Sequence, residues 1–316
     1  MSGTYKNPMS FNTADPVILY HDGKYYCYGT NAKDGFCVHS SSDLNTWTNV
    51  GKIFENYDGF MGEDCFWAPE VYKRDGRFIL LFSSRDKNKR HSIYIAFSDS
   101  PTGPFKDANN GKPFFCPPYS IIDGSLLFDD DGRIYMYYSR DCSENIVNEI
   151  HESHIYVVEL SKDLCKVISE PIHLTSPDCE WEKLSGNEFR WNEGPCTLKH
   201  NGTYYLMYTA NFYASIHYAV GYATSSSPTG PFIKSPDNPI LRSNGVETMG
   251  TGHNNFFPSP DGKELFCVYH SLKNRLNNKD GRVPNIDRMY IEKDGKLRID
   301  GPTVCEMPLP STTAIK

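Results

Sequence analysis

From Ala14 onward the chain sets short apolar runs against single Asp-Gly or Asn-Gly pairs, and it does so in one form five times. The segments ADPVILYHDGKYYCYGT (14–30), WAPEVYKRDGRFILLFSS (67–84), IDGSLLFDDDGRIYMYYSR (122–140), NEGPCTLKHNGTYYLMYTA (192–210) and GHNNFFPSPDGKELFCVYHS (252–271) are versions of one unit. Each is a short strand, a break, and a second strand rich in aromatic and β-branched residues. The breaks are Asp22-Gly23, Asp75-Gly76, Asp131-Gly132, Asn201-Gly202 and Asp261-Gly262. Both central positions of a type I′ turn need positive φ, which these pairs tolerate, so five hairpins with type I′ turns are predicted. Four of the five units are followed by a second motif, SSDLNTW (41–47), FSDSPTGPF (97–105), VELSKDL (158–164) or ATSSSPTGPF (223–232), read as an outer strand and its closing turn.

The turns begin at 22, 75, 131, 201 and 261, spacings of 53, 56, 70 and 60 residues. That is room for about four strands per unit, the size of a propeller blade. The predicted fold is all-β, a five-bladed β-propeller forming a single domain over residues 1–316. Its blades occupy roughly 12–303, and the C-terminal PLPSTTAIK is expected as a loose tail. A β-sandwich is the alternative, disfavoured because sandwiches seldom repeat a hairpin so regularly.

Composition supports many strands joined by tight turns: 21 Tyr and 18 Phe stand beside 24 Gly and 21 Pro. The net charge of −7, without a long Lys or Arg run, argues against nucleic acid as a partner. No stretch of about 18 apolar residues suggests a membrane span, and MSGTYKNPMSFNTADP does not read as a secretion signal. A soluble, cytoplasmic protein is the expectation. The ten cysteines are scattered, mostly in apolar runs, with no C-x-x-C, and are expected as reduced, buried thiols rather than disulfides or a zinc site. HESH (151–154) precedes a strand rather than a helix and reads as a loop at the pocket rim, not a metal site.

Blades converge on an axis, so residues opening the innermost strands face one central pocket. Eight residues before the turns stand Trp67, Asp123, Glu193 and His253, and seven before the first turn stands Asp15. Hairpin stability does not call for carboxylates at one position in three of five blades, and crowded carboxylates repel. Two carboxyls flanking a bond can hydrolyse a glycoside, while a third can hold up the acid's pKa. Trp67 and the segment Asn211-Phe212-Tyr213 offer surfaces for sugar rings. Taken singly, Asp15-Pro16 and Asp123-Gly124 could be turn signals. Their shared position favours a site.

These motifs, ADP, WAPE, IDGS, NEGP, GTGHN and GRVPNIDRM followed by DGKLRIDGPT, resemble in order and blade placement those of glycoside hydrolase family 43 from about Asn12 to Thr303. The resemblance implies a five-bladed propeller hydrolase of arabinan and xylan that inverts configuration. Asp15 is then the general base, Glu193 the general acid, and Asp123 the residue that raises and orients the acid. Arg282 is implied as a sugar contact in the terminal subsite, though it could equally neutralise the carboxylates. His253 is implied near the axis, substrate-binding or beside a water-coordinated calcium ion; a histidine hydrogen-bonded within the channel is as good a reading.

The chain shows no C-terminal β-sandwich such as many β-xylosidases of the family carry. With a cytoplasmic setting, this points to imported hemicellulose-derived oligosaccharides and an exo-acting enzyme removing α-L-arabinofuranosyl or β-D-xylosyl units. Segments 141–155 and 176–192, expected as long loops, would wall off its pocket. An endo-α-1,5-L-arabinanase with an open cleft, and a non-catalytic sugar-binding propeller, are the alternatives.

Overall fold

The computed structural model describes residues 3–312. Five four-stranded antiparallel units follow one another along the chain. Their innermost strands are Ala14–His21, Gly62–Arg74, Ile121–Phe128, Phe189–His200 and Gly252–Pro258, in blades I to V. The second strands are Lys24–Thr30, Arg77–Asp86, Ile134–Arg140, Thr203–Ala210 and Leu265–Leu272. Each pairs with its inner strand as the expected hairpin.

The second strands read as nearly unbroken apolar runs because both faces are covered. In blade II, Phe78, Leu80 and Phe82 pack towards blade I, while Ile79 and Leu81 pack towards blade III. In blade III, Ile134, Met136 and Tyr138 face blade II, and Tyr135 and Tyr137 face blade IV. The core is thus five separate clusters, one in each gap between neighbouring blades.

The N-terminal segment closes the ring on blade V. Thr4–Lys6 pairs with Glu306–Pro308, the Asn7 side chain exchanges hydrogen bonds with the Ile286 backbone at 2.7 and 2.9 Å, and Thr13 N–H donates to the Arg282 carbonyl at 2.9 Å. The expected loose tail is instead fastened over its described part. Ser311 N–H donates to Glu264 at 2.6 Å and its hydroxyl to Asp261 at 2.7 Å. Residues 313–316 of that segment lie outside the described residues.

Only three of the five turns have the expected backbone. Asp22-Gly23, Asp75-Gly76 and Asn201-Gly202 have φ positive at both positions. Asp131 and Asp261 do not. Asp129 N–H bonds the Arg133 carbonyl, leaving three residues in the loop; Ser259 N–H bonds the Glu264 carbonyl, leaving four. Pro260, with φ held near −65°, cannot enter a type I′ turn.

The cysteine expectation also needs correction. All ten thiols are free, but only Cys27, Cys196 and Cys267 are buried; Cys116, Cys165 and Cys305 are exposed. The HESH residues lie within the strand Ile150–Leu160, and Phe189–His200 is likewise a strand. Segments expected as loops therefore pair in parallel, His151 with Phe189 and Ser153 with Trp191, joining blades III and IV at one edge.

Candidate active site

Every innermost strand breaks its ladder at the hub in the same way. Ala14, Trp67, Ile122, Glu193 and Gly252 pair with Thr30, Ser83, Ser139, Thr209 and His270, and the next two residues of the inner strand then bulge out of register. The bulge pairs are Asp15-Pro16, Ala68-Pro69, Asp123-Gly124, Gly194-Pro195 and His253-Asn254. A bulge frees backbone groups from the ladder, which is why proline is tolerated at the second position in three blades.

The first bulge residue has positive φ in all five blades: 50° at Asp15, 45° at Ala68, 57° at Asp123, 57° at Gly194 and 49° at His253. For the four that are not glycine this costs about 1 kcal/mol each. Neighbouring blades hold them there. Asp15 N–H donates to His270 Nδ1 at 3.1 Å, Ala68 N–H to Thr30 Oγ1 at 2.9 Å, Asp123 N–H to Ser83 Oγ at 2.9 Å and His253 N–H to Thr209 Oγ1 at 2.9 Å. Gly194 N–H donates to the Asp123 carboxylate at 3.1 Å. A Cβ on Gly194 would stand 3.2 Å from the His253 ring, close enough that the ring would have to give by a few tenths of an ångström, so glycine eases a position that the other four blades fill with larger residues.

Counting from the turns therefore misaligned two residues. The structural equivalents are Asp15, Ala68, Asp123, Gly194 and His253; Trp67 and Glu193 stand one place earlier. The count of eight fits only blades III and V, whose loops are longer. Ala68 occupies the strained position without any chemistry, so the backbone form belongs to the fold.

Asp15, Asp123 and Glu193 nonetheless share one electrostatic environment. Asp15 Oδ1 lies 3.0 Å from Arg282 Nη1, 3.4 Å from His253 Nδ1 and 3.4 Å from His270 Nδ1, and Thr30 donates to Oδ2 at 2.6 Å. Burial pushes this carboxyl up, but Arg282, then His253 and His270, outweigh burial and hold it well below the usual carboxylate range. His270 is fully buried and pushed down to about 3, by burial and then by Arg282. It is neutral, with Nδ1 facing Asp15 N–H and Nε2 lying 3.5 Å from Arg282 Nη1.

The other two acids shift the opposite way. Burial and then the Asp123 carboxylate raise Glu193 well above the ordinary range, against a hydrogen bond from Tyr218 at 3.0 Å. Asp123 rises to about 6, chiefly through burial, with Asp15 adding to the rise and His253 and Gly194 N–H opposing it. Asp141, on the turn after blade III's second strand, adds negative charge to both.

Around the acids, the half-exposed Trp67 lies on the buried His91 ring at 4.9 Å, and His91 has no side-chain partner among the described residues. Phe212 leans on Tyr213, above which the Arg282 guanidinium sits at 4.8 Å. Buried Asn211 pins this turn, accepting from Leu184 N–H and donating to the Trp181 and His217 carbonyls. His270, Thr30, Tyr218 and Asp141 were missed in the sequence. The first two sit at the second-strand hub position, which a count of strand ends would have found.

Calcium takes six to eight oxygen ligands. His253 offers one nitrogen, directed at a carboxylate that Arg282 already neutralises, and among the described residues the two belong to no three-ligand cluster. A calcium ion caged by protein oxygens does not fit there. The one three-ligand cluster among the described residues, Asp178, Cys179 and Glu182, is remote from the hub and holds the Lys234 ammonium at 2.6 and 2.7 Å.

A cavity of about 690 Å³ has none of the three acids in its lining. It opens at the hairpin end of the hub, where Val17, Glu70, Ser125, Cys196 and Asn255 stand three residues beyond the ladder break of each blade. Glu70 is buried there, accepting from Asn255 at 2.7 Å and Tyr72 at 2.8 Å, and burial raises it to about 8.

The family model for glycosyl hydrolases family 43 matches residues 5–297, spanning all five blades. The chain belongs to that family. A β-D-galactofuranosidase from Aspergillus niger is 30% identical over 90% of this chain and 81% of its own length. An extracellular exo-α-(1→5)-L-arabinofuranosidase from Streptomyces avermitilis is 24% identical over 93% of this chain, which spans 63% of that relative. A solved thermostable family-43 glycoside hydrolase is 41% identical and superposes with a TM-score of 0.93, over 98% of this chain and 100% of its own. This family-43 chain is a glycosidase with a five-bladed propeller fold.

Proposed function

We propose that the chain is an inverting, exo-acting glycoside hydrolase that releases terminal α-L-arabinofuranosyl or β-D-xylosyl units from arabinoxylan- or arabinan-derived oligosaccharides. The observation that carries this reading is the divergence of the hub carboxyls: Asp15 held ionised, Glu193 held protonated. Groups pushed apart in this way identify the base and the acid of a hydrolytic pair.

Asp15 takes a proton from a water as that water's oxygen bonds the anomeric carbon. Glu193 gives its proton to the glycosidic oxygen as the bond to the leaving group breaks. Attack from the face opposite the leaving group inverts the centre, which requires the carboxyls to flank the sugar at roughly 6.5–9.5 Å. Asp123 accepts Gly194 N–H and holds negative charge beside Glu193, keeping the acid protonated. Arg282 keeps Asp15 charged and presents its remaining donors to sugar hydroxyls, while Trp67, Phe212 and His253 line the site.

The Streptomyces relative supports an arabinofuranosyl substrate, and the Aspergillus relative favours a second reading, a β-D-galactofuranosyl substrate. All are hydrolysed by the same pair of carboxyls. The test is release of p-nitrophenol from the α-L-arabinofuranoside, β-D-xyloside and β-D-galactofuranoside, with product anomers followed by NMR. Inverted product is expected, as is a loss of at least about 10²-fold in Glu193→Gln on an unactivated oligosaccharide, whose leaving oxygen must be protonated; retained configuration, or equal turnover of the oligosaccharide by the variant, would contradict the assignment.

A further inference from the structure

A row of rings runs outward from the acids along the joined edge of blades III and IV. Arg282, bonded to Asp15, lies over Tyr213; Tyr213 touches Phe212 at 4.7 Å; Phe212 touches Trp191 at 5.8 Å. Trp191 stacks on Phe189 at 5.8 Å and 15°, and Phe189 on His151 at 4.8 Å and 23°. The row exists because the two strands pair in parallel here, His151 opposite Phe189 and Ser153 opposite Trp191. Below it the buried Glu152 bridges His154 at 2.8 Å and Arg190 at 3.5 Å, fixing the two strands to each other.

Strand period ties this row to the acid. The ladder is regular from Phe189 to Glu193, with the bulge only beyond it, so Phe189, Trp191 and Glu193 project from one face while Asn192 is buried on the other. A general acid must touch the leaving oxygen. The strand face that carries Glu193 also carries Trp191 and Phe189, so the ridge leads away from the group that must reach the leaving oxygen. Phe189 and Phe212 remain 38% and 39% exposed, a contiguous apolar ridge beside a polar hub, which is the mark of a binding surface.

We infer that the ridge Phe212–Trp191–Phe189–His151 is the binding site for the leaving-group side of the substrate, receiving at least two sugar units beyond the cleaved bond. This rests on the proposed function and deepens it: the substrate class becomes oligosaccharides of three or more units, cut from an end that the hub holds, rather than disaccharides.

The test is kcat/KM for a series of two to five sugar units, of whichever pentose the wild type accepts, beside the matching p-nitrophenyl glycoside. In the wild type, kcat/KM is expected to rise about tenfold from two units to four, carried by KM. In Phe189→Ala the ratio of the four-unit to the p-nitrophenyl value is expected to fall by about tenfold, with thermal unfolding checking that the variant is folded. A flat chain-length profile in an active wild type overturns the inference and leaves the proposed function standing; should Phe189→Ala fail to fold, that profile decides alone. An unaltered ratio in a folded variant also overturns it. Absence of hydrolysis of every glycoside overturns the proposed function and this inference together.

Discussion

The Thr30 hydroxyl donates to Asp15 Oδ2 at 2.6 Å and accepts Ala68 N–H at 2.9 Å, so one side chain of blade I orients the candidate base and clamps the strained backbone of blade II. Thr30→Val keeps the shape and deletes both bonds, leaving the buried Ala68 N–H without a partner. A stability loss of about 1–3 kcal/mol is expected in urea unfolding, largely restored by Thr30→Ser. Equal stability of Thr30→Val and wild type would show the clamp to be idle.

Ala68 carries φ of 45° with a side chain that has no part in the chemistry. Ala68→Gly removes the steric cost of that conformation and should raise stability by roughly 0.5–1 kcal/mol, offset in part by greater freedom of the unfolded chain. A lowered melting temperature would mean that the methyl group's packing outweighs the strain.

Arg282 is the largest charge opposing the burial of Asp15. A base must be ionised, so activity is lost as pH falls through its pKa. Arg282→Gln lets that pKa climb, and the acidic limb of kcat/KM should move to higher pH by about one unit or more. An acidic limb fixed in place would assign that titration to another group.

The Asp123 carboxylate follows burial as a cause of the raised Glu193 pKa. An acid must be protonated, so activity falls as pH rises through its pKa. Asp123→Asn lowers that pKa, and the alkaline limb should move down by about one unit while kcat at neutral pH falls by roughly 10²-fold. An upward movement of that limb would contradict the role given to Asp123.

Glu70 is raised from 4.5 to about 8 by burial. Its protonated form suits the fold, so its contribution to stability is full below about 4.5 and is lost as pH climbs towards 8. Between pH 5 and 8 the wild type should lose on the order of 3 kcal/mol more than Glu70→Gln, an upper figure because the site can relax. Parallel stability profiles of the two proteins would refute this.

The hairpins were legible because Asp-Gly and Asn-Gly leave a local mark, and the ring of acids because it recurs at one offset from that mark. The offset itself was not constant. Three- and four-residue loops in blades III and V moved Trp67 and Glu193 one place away from the positions equivalent to Asp123 and His253. Contacts between chain-distant groups left no trace of this kind. Nothing near His270 names Asp15 as its partner, and HESH did not show that it pairs with Phe189-Arg190-Trp191. The ends of the expected pocket-walling loops, 150–155 and 189–192, turned out to be strand for the same reason: their pairing partner lies some forty residues away.

The backbone amides at the hub have a collective consequence. Each is held by a side chain of the preceding blade, and blade V serves blade I through His270, so dependence runs around a closed circuit. No spoke can loosen without stripping the next of its fastening. The spacing of the three carboxyls is thereby tied to the closure of the whole wheel and not to any single spoke.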